Sequence, residues 1–90
     1  MAKLIFTESY NRKAKKFFKH HPQIIKQYEK TLKLLEINPF HTSLRLHKLA
    51  GKHADIYSVS INISYRITIN FIIEKDTIIL IDVGSHSEVY

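Results

Sequence analysis

The strongest constraint on this 90-residue chain is a change of sequence pattern at Pro39. Before it, apolar residues recur every three or four positions, which is the spacing of one face of a helix. From Ile56 onward, three stretches are rich in β-branched and aromatic residues, a composition typical of strands: IYSVSI, YRITINFII and TIILIDVGS. A chain with its helices first and most of its strands last is expected to fold as α+β.

Two helices are predicted in the first part of the chain, after a short opening strand over Lys3–Phe6. Thr7 or Ser9 can cap the first helix, which runs to about His20. The second helix starts near Pro22, a residue suited to a first helical turn, and ends near Asn38 before Pro39. Its predicted apolar face comprises Ile24, Ile25, Tyr28, Leu32 and Leu35.

The predicted element order is β-α-α-β-β-β, in a single domain over residues 1–90. We expect an antiparallel helical hairpin to pack on one face of a curved, mainly antiparallel sheet. Residues 40–43 are predicted as a loop, 44–49 alternate loosely between apolar and basic, and 51–55 suggest a turn. Residues 74–76 are predicted as a hairpin loop. In the strand over residues 65–71, Arg66 is predicted to lie on the face opposite Tyr65 and Ile67.

Charge is distributed unevenly along the sequence. Residues 1–53 contain twelve Lys and Arg against three acidic residues, whereas residues 54–90 contain two against five. A cationic surface favours an anionic partner, with nucleic acid first and then an acidic protein or membrane surface. Taken one by one, most of these lysines need be no more than the solvated outer faces of helices.

Several classes of protein are excluded by composition. The absence of cysteine excludes a disulfide scaffold, thiol chemistry and cysteine zinc sites. The longest apolar-rich run is interrupted by charged residues, so it does not predict a membrane span. We therefore expect a soluble cytoplasmic protein that does not contact a membrane.

Polar groups suited to cleaving RNA occur near the predicted strands. His47 lies on the segment entering the sheet, Arg66 begins a strand, and His86 and Tyr90 follow the last strand. Two imidazoles can transfer protons to and from ribose and leaving-group oxygens, and arginine can stabilise the charge of the pentavalent transition state. The proposal requires these side chains to converge on one surface.

Each of these residues also has a simpler interpretation. Arg66 could form a surface salt bridge with Asp82 or Glu88, which is the favoured alternative without other information. His47 could face solvent on an edge strand, His86 could be a tail residue with no role, and Tyr90 could only pack on the sheet edge. The adjacent His20 and His21 point about 100° apart on a helix, so they are a poor pair of metal ligands.

Taken together, the sequence resembles the RelE/ParE superfamily of type II toxin–antitoxin toxins, especially the RelE/YafQ-like mRNA interferase branch. The resemblance covers nearly all 90 residues. It rests on FTESYNRKAKKF, on NPF with LRLHKLAG, on the IYSVSINISYRITINF hairpin and on TIILIDVGSHSEVY. It implies a small α+β toxin that cleaves mRNA on the ribosome without a metal or other cofactor. It also implies a cognate antitoxin as partner, with the toxin a monomer alone or part of a hetero-oligomer.

The resemblance also assigns roles to individual residues. His47 and His86 match catalytic histidines of the YafQ-like branch, Arg66 matches the transition-state arginine, and Tyr90 matches the terminal aromatic residue that orients the substrate. The basic segment that meets phosphate contains Arg45, Lys48 and Lys52. Ser58 and Ser60 depart from the pattern, because many members carry basic, histidine or acidic residues there.

Two other functions are compatible with this resemblance. A ParE-like toxin would inhibit DNA gyrase by binding, and members of that branch lack the catalytic cluster. A catalytically inactive domain would bind only its antitoxin, and the serines at positions 58 and 60 motivate that alternative.

Overall fold

A computed structural model describes residues 1–49 and 55–85 and confirms the predicted α+β class. Its helices are α1 (Glu8–His20) and α2 (Ile25–Ile37), and single 3₁₀ turns lie over Pro22–Ile24, Thr42–Leu44 and Ile73–Lys75. Its strands are β1 (Lys3–Phe6), β2 (His47–Lys48), β3 (Ile56–Ser60), β4 (Tyr65–Ile72) and β5 (Thr77–Ser85). The predicted order omitted β2, because a strand of two residues has too little alternation to be recognised from sequence.

The five strands form one mixed sheet in the order β1-β5-β4-β3-β2. The chain's first strand pairs in parallel with its last, and the other three pairings are antiparallel. One irregularity occurs between β4 and β5: Thr68 pairs with Asp82 and Ile69 pairs with Leu80, so Ile81 is an extra residue. A bulge of this kind bends the strand locally and increases its twist.

The helices begin and end close to where the sequence predicts. The Thr7 hydroxyl accepts a hydrogen bond from the Tyr10 backbone N–H at 3.1 Å, so Thr7, and not Ser9, caps α1. The prediction that Ile25 belongs to the apolar face of α2 is wrong, since Ile25 is 37% exposed. The 3₁₀ turn before α2 shifts the side of the helix that faces the core. Thr31 of α2 is buried there instead.

The core lies between the helices and one face of the sheet. Apolar residues at alternate positions of β3, β4 and β5 form this face, including Val59, Ile67, Ile69 and Leu80, all 0% exposed. The residues that alternate with these along each strand point to the opposite face of the sheet. Within residues 1–49 and 55–85, neither helix is long and apolar enough to cross a membrane.

Two tyrosines connect the helices inside this core. Tyr10 of α1 is 1% exposed, and its hydroxyl shares a 2.7 Å hydrogen bond with the hydroxyl of Tyr28 on α2. Burial is the main reason that the pKa of both phenols is raised. The pair therefore stays neutral in the folded chain, and each hydroxyl satisfies the other.

We predict that Tyr28→Phe destabilises the fold more than Tyr10→Phe does. The first change leaves the buried Tyr10 hydroxyl without its partner, at a cost of about 1–3 kcal/mol. The second change leaves the Tyr28 hydroxyl without its partner, but this hydroxyl is only half-buried and water can replace the lost hydrogen bond. Urea unfolding of both variants measures the difference, and an equal loss of stability would contradict this account of the pair.

We also predict that stability falls as pH rises above about 10, the ordinary pKa of tyrosine. The unfolded chain loses its phenolic protons there while the folded chain retains them, so the stabilisation is complete below that pH and is lost above it. The urea midpoint from pH 8 to pH 11 should fall less steeply in Tyr10→Phe than in the unchanged chain. Parallel curves would show that the pair does not cause the loss.

Candidate functional site

The sheet face opposite the core carries two of the side chains predicted to act on RNA, His47 and Arg66. His47 is paired with Ser58, and Ser58 with Thr68. Two residues further along β3, Ser60 is paired with Arg66, and Arg66 with Gly84. Directly paired residues point to the same face, so these two rows are neighbours on one surface.

Arg66 is held at the end of this surface by neutral oxygen atoms. Its Nη1 donates to the Ser60 hydroxyl at 2.8 Å and to the Asn62 carbonyl at 2.6 Å. A longer contact of 3.4 Å reaches the carbonyl of Tyr65. Three acceptors around one nitrogen fix that end of the planar guanidinium group, and none of them carries a charge.

The turn between β3 and β4, together with the strand residues on either side of it, supplies these acceptors. The side-chain oxygen of Asn62 accepts hydrogen bonds from the backbone N–H groups of Ser64 and Tyr65, each at 2.9 Å. This local pattern, which asparagine forms readily, closes the turn and sets the register of the hairpin. The Ser60 hydroxyl also donates to the Asn62 carbonyl at 2.7 Å, which joins the turn to the strand.

The alternative in which Asp82 neutralises Arg66 is wrong. Arg66 is paired with Gly84, its Nη1 is bound at the β3–β4 turn, and an Asp82 oxygen accepts from the Val83 backbone N–H at 2.8 Å. In the part of the chain that the structure describes, the only ion pair joins the Met1 amino group to Asp76 at 3.9 Å. Glu88, the other candidate, lies outside the described residues. The charge of Arg66 is therefore not compensated by a described carboxylate.

His47 is exposed on β2, and its ring contacts the backbone two residues earlier in the chain. Nδ1 lies 3.3 Å from the carbonyl oxygen of Arg45. Because a carbonyl can only accept, Nδ1 is the donor in this contact, and the neutral ring then has Nε2 without a proton. Arg45 adopts a left-handed conformation with φ of 49°, which turns the chain sharply just before β2.

His47 and Arg66 share a face but are not adjacent. They lie two strands and two residues apart, a Cα separation of roughly 12 Å from the usual spacing and rise of strands. The register therefore places one imidazole and one guanidinium group on the same surface, on strands that are not neighbours.

The other predicted site residues are placed differently. Lys48 is paired with Tyr57, so it lies on the face opposite His47, and the structure does not bring it to the surface of Arg66. Arg45 is exposed at the end of the 3₁₀ turn that precedes β2. Three further predicted residues lie outside the described residues: Lys52, His86 and Tyr90. Strand β5 ends with Ser85 paired to Tyr65, next to Arg66.

His20 and His21 border a different part of the molecule. Together with Lys13, Lys16, Phe17, Asp82 and Val83 they line an open cleft of about 340 Å³ between α1 and β5. His21 stacks on Phe17 with 4.5 Å between ring centroids, and its Nδ1 lies 3.2 Å from the Tyr65 hydroxyl. These contacts attach the end of α1 to the sheet. Within the described ranges, no three His, Asp or Glu side chains form a group able to hold a metal ion.

Sequence reasoning missed the polar residues that organise Arg66. The resemblance marks Ser60 only as a departure from the family pattern, and it gives Asn62 and Gly84 no role. The available signal was the spacing of Ser60, Asn62 and Arg66 around a predicted hairpin turn. A strand glycine also indicates a close approach, and Gly84 leaves no side chain beside Arg66 on β5.

Comparison with known proteins gives matches in structure only. No family model matches the sequence, and no curated protein sequence matches it. The DinJ–YafQ complex of E. coli contains a chain similar to this one with a TM-score of 0.80 and 10% identity, covering 100% of this chain and 99% of that one. A metal-bound toxin from Helicobacter pylori matches at 0.78 with 19% identity over 100% of both chains. The YoeB–YefM complex from Staphylococcus aureus matches at 0.70 with 18% identity, covering 96% and 98%.

These similarities extend over whole chains, and they include the helices as well as the sheet that carries His47 and Arg66. At such low identity they establish the architecture and not the chemistry. The chain has the fold of the RelE/YafQ-like toxins.

Proposed function

We propose that this chain is the toxin of a type II toxin–antitoxin system and that it cleaves mRNA on the ribosome without a metal. The observation that carries the proposal is the set of hydrogen-bond partners of Arg66. A buried or half-buried arginine that serves only the fold is usually paired with a carboxylate. This one is fixed by neutral acceptors on the same face as His47, so its charge is available to a phosphate.

The two described residues supply complementary parts of an RNA cleavage reaction. Nε2 of His47 takes the proton of the ribose 2′-hydroxyl, and the 2′-oxygen then attacks the adjacent phosphorus. Arg66 stabilises the negative charge that accumulates on the phosphate oxygens. The bond to the 5′-oxygen breaks as that oxygen is protonated, which leaves a 2′,3′-cyclic phosphate and a 5′-hydroxyl. The resemblance makes His86 a catalytic histidine without deciding between acid and base; in this scheme it would supply the second proton, and Tyr90 would orient the substrate.

An antitoxin is the proposed protein partner. DinJ–YafQ is a toxin–antitoxin complex, and its YafQ chain shares the present fold. Residues 1–53 carry nine more basic than acidic side chains, a surface to which an acidic antitoxin segment would be attracted. Arg45, Lys48 and Lys52 belong to this basic part of the chain. Lys48 lies on the face opposite His47, so it is not proposed to contact a phosphate held by Arg66.

We predict that Arg66→Ala lowers the rate of mRNA cleavage by roughly 10²-fold or more, the scale of losing one transition-state stabiliser. Arg66→Lys should restore only part of the rate, because an ammonium cannot replace a planar guanidinium. The measurement is mapping of mRNA 5′ ends during controlled expression, repeated with purified ribosomes. Arg12→Ala is the matched control, since it removes the same charge from the exposed surface of α1.

Three outcomes separate the candidate functions. Growth arrest with codon-phased cuts that disappear in Arg66→Ala supports the nuclease. Growth arrest with intact mRNA and inhibited gyrase supercoiling would identify a ParE-like inhibitor. No arrest by the unchanged chain would leave an inactive antitoxin-binding domain as the better account.

We also predict that His47→Gln lowers the cleavage rate by about 10²-fold while ribosome binding stays within about twofold, because a general base contributes to the reaction and not to affinity. Glutamine is close in size to the imidazole but cannot accept the proton. His20→Gln, on the exposed end of α1, is the control. Equal cleavage by His47→Gln and the control would remove His47 from the mechanism.

A further inference from the structure

We propose that Ser60 is a positioning residue that fixes the orientation of Arg66 for phosphate binding, an inference that rests on the proposed nuclease function. Its hydroxyl accepts from Arg66 Nη1 at 2.8 Å and donates to the Asn62 carbonyl at 2.7 Å. Ser60 is 8% exposed, so the hydroxyl acts from inside the sheet and not as a substrate contact. The residue that departs from the family pattern thus has a defined role in this chain.

The contacts of Arg66 use only one of its three nitrogen atoms. All three hydrogen bonds of its guanidinium come from Nη1, and Nε and Nη2 make none in the described part of the chain. Because the group is planar and rigid, holding Nη1 also sets the direction of the Nε–Nη2 edge. That edge carries N–H groups spaced to bind two oxygens of one phosphate.

Ser60 adds a constraint that the turn alone does not provide. Without its hydroxyl, Nη1 would retain the Asn62 carbonyl of the turn at 2.6 Å and the distant carbonyl of Tyr65, the first residue of β4, at 3.4 Å. The Ser60 oxygen comes from the neighbouring strand, so it holds the guanidinium from another side. Its removal should let the plane of the group rotate while the charge stays in place.

We therefore expect Ser60→Ala to lower the single-turnover cleavage rate by about tenfold with KM unchanged within about twofold, because small losses of alignment act on the chemical step. Ser60→Thr retains a hydroxyl and should recover most of the rate. Ser64→Ala is the matched control, because it removes the same atom from an exposed residue of the same turn. An unchanged rate in Ser60→Ala, or an equal loss in Ser64→Ala, would overturn the proposal.

A double-mutant cycle separates positioning from a general loss of stability. If Ser60 acts through Arg66, Ser60→Ala should cause no further loss of rate in a chain that already carries Arg66→Ala. A tenfold loss in both backgrounds would mean that the hydroxyl supports the hairpin and not the arginine, and would overturn the proposal.

A readout without cleavage distinguishes failure of this inference from failure of the proposed function. Nitrogen-15 NMR of the side chain should give separate, slowly exchanging Nη–H signals for Arg66, assigned by their loss in Arg66→Lys. These signals should merge in Ser60→Ala and persist in Ser64→Ala. Persistence in Ser60→Ala would refute the positioning role. Merging in a chain that cuts no mRNA would support the positioning and refute the nuclease.

Discussion

The register of the β3–β4 hairpin determines which side chains reach each face of the sheet. Asn62 sets it by accepting two backbone N–H groups within the turn, and a slip of one residue would exchange the two faces. In the observed register, Val59 and Ile67 enter the core, while Ser60 and Arg66 meet on the other face. The same turn thus secures the packing against the helices and supplies the acceptors for the arginine.

Among the described residues, the main polar side chains in the core and beside Arg66 are held by hydrogen bonds and not by ion pairs. Tyr10 and Tyr28 satisfy each other between the helices, and Ser60 with the Asn62 carbonyl satisfies one nitrogen of Arg66. Ion pairs contribute little, since the described residues contain only the exposed contact of the N-terminus with Asp76. The excess positive charge is consequently left for an external anion, as the proposed function requires.

Local sequence patterns predicted the elements but not the contacts between them. Helical spacing, Pro22 and Pro39 located both helices, and alternation placed Arg66 on the face opposite Tyr65. The role of Ser60 was not predictable, because it depends on which residue of β3 stands opposite Arg66. The exposure of Ile25 depends on a 3₁₀ turn that shifts the helix face, and β2 was too short to detect. His86, Tyr90 and Lys52 remain predictions from the resemblance.

The most direct test of the account is the position of a scissile phosphate relative to Arg66. A structure of this chain on a ribosome programmed with mRNA methylated at its 2′-hydroxyls would hold the substrate uncut. The account predicts the Nε–Nη2 edge of Arg66 about 3 Å from two oxygens of one phosphate, with His47 facing the adjacent 2′-oxygen. An mRNA phosphate bound against α1, with Arg66 contacting no RNA, would contradict it.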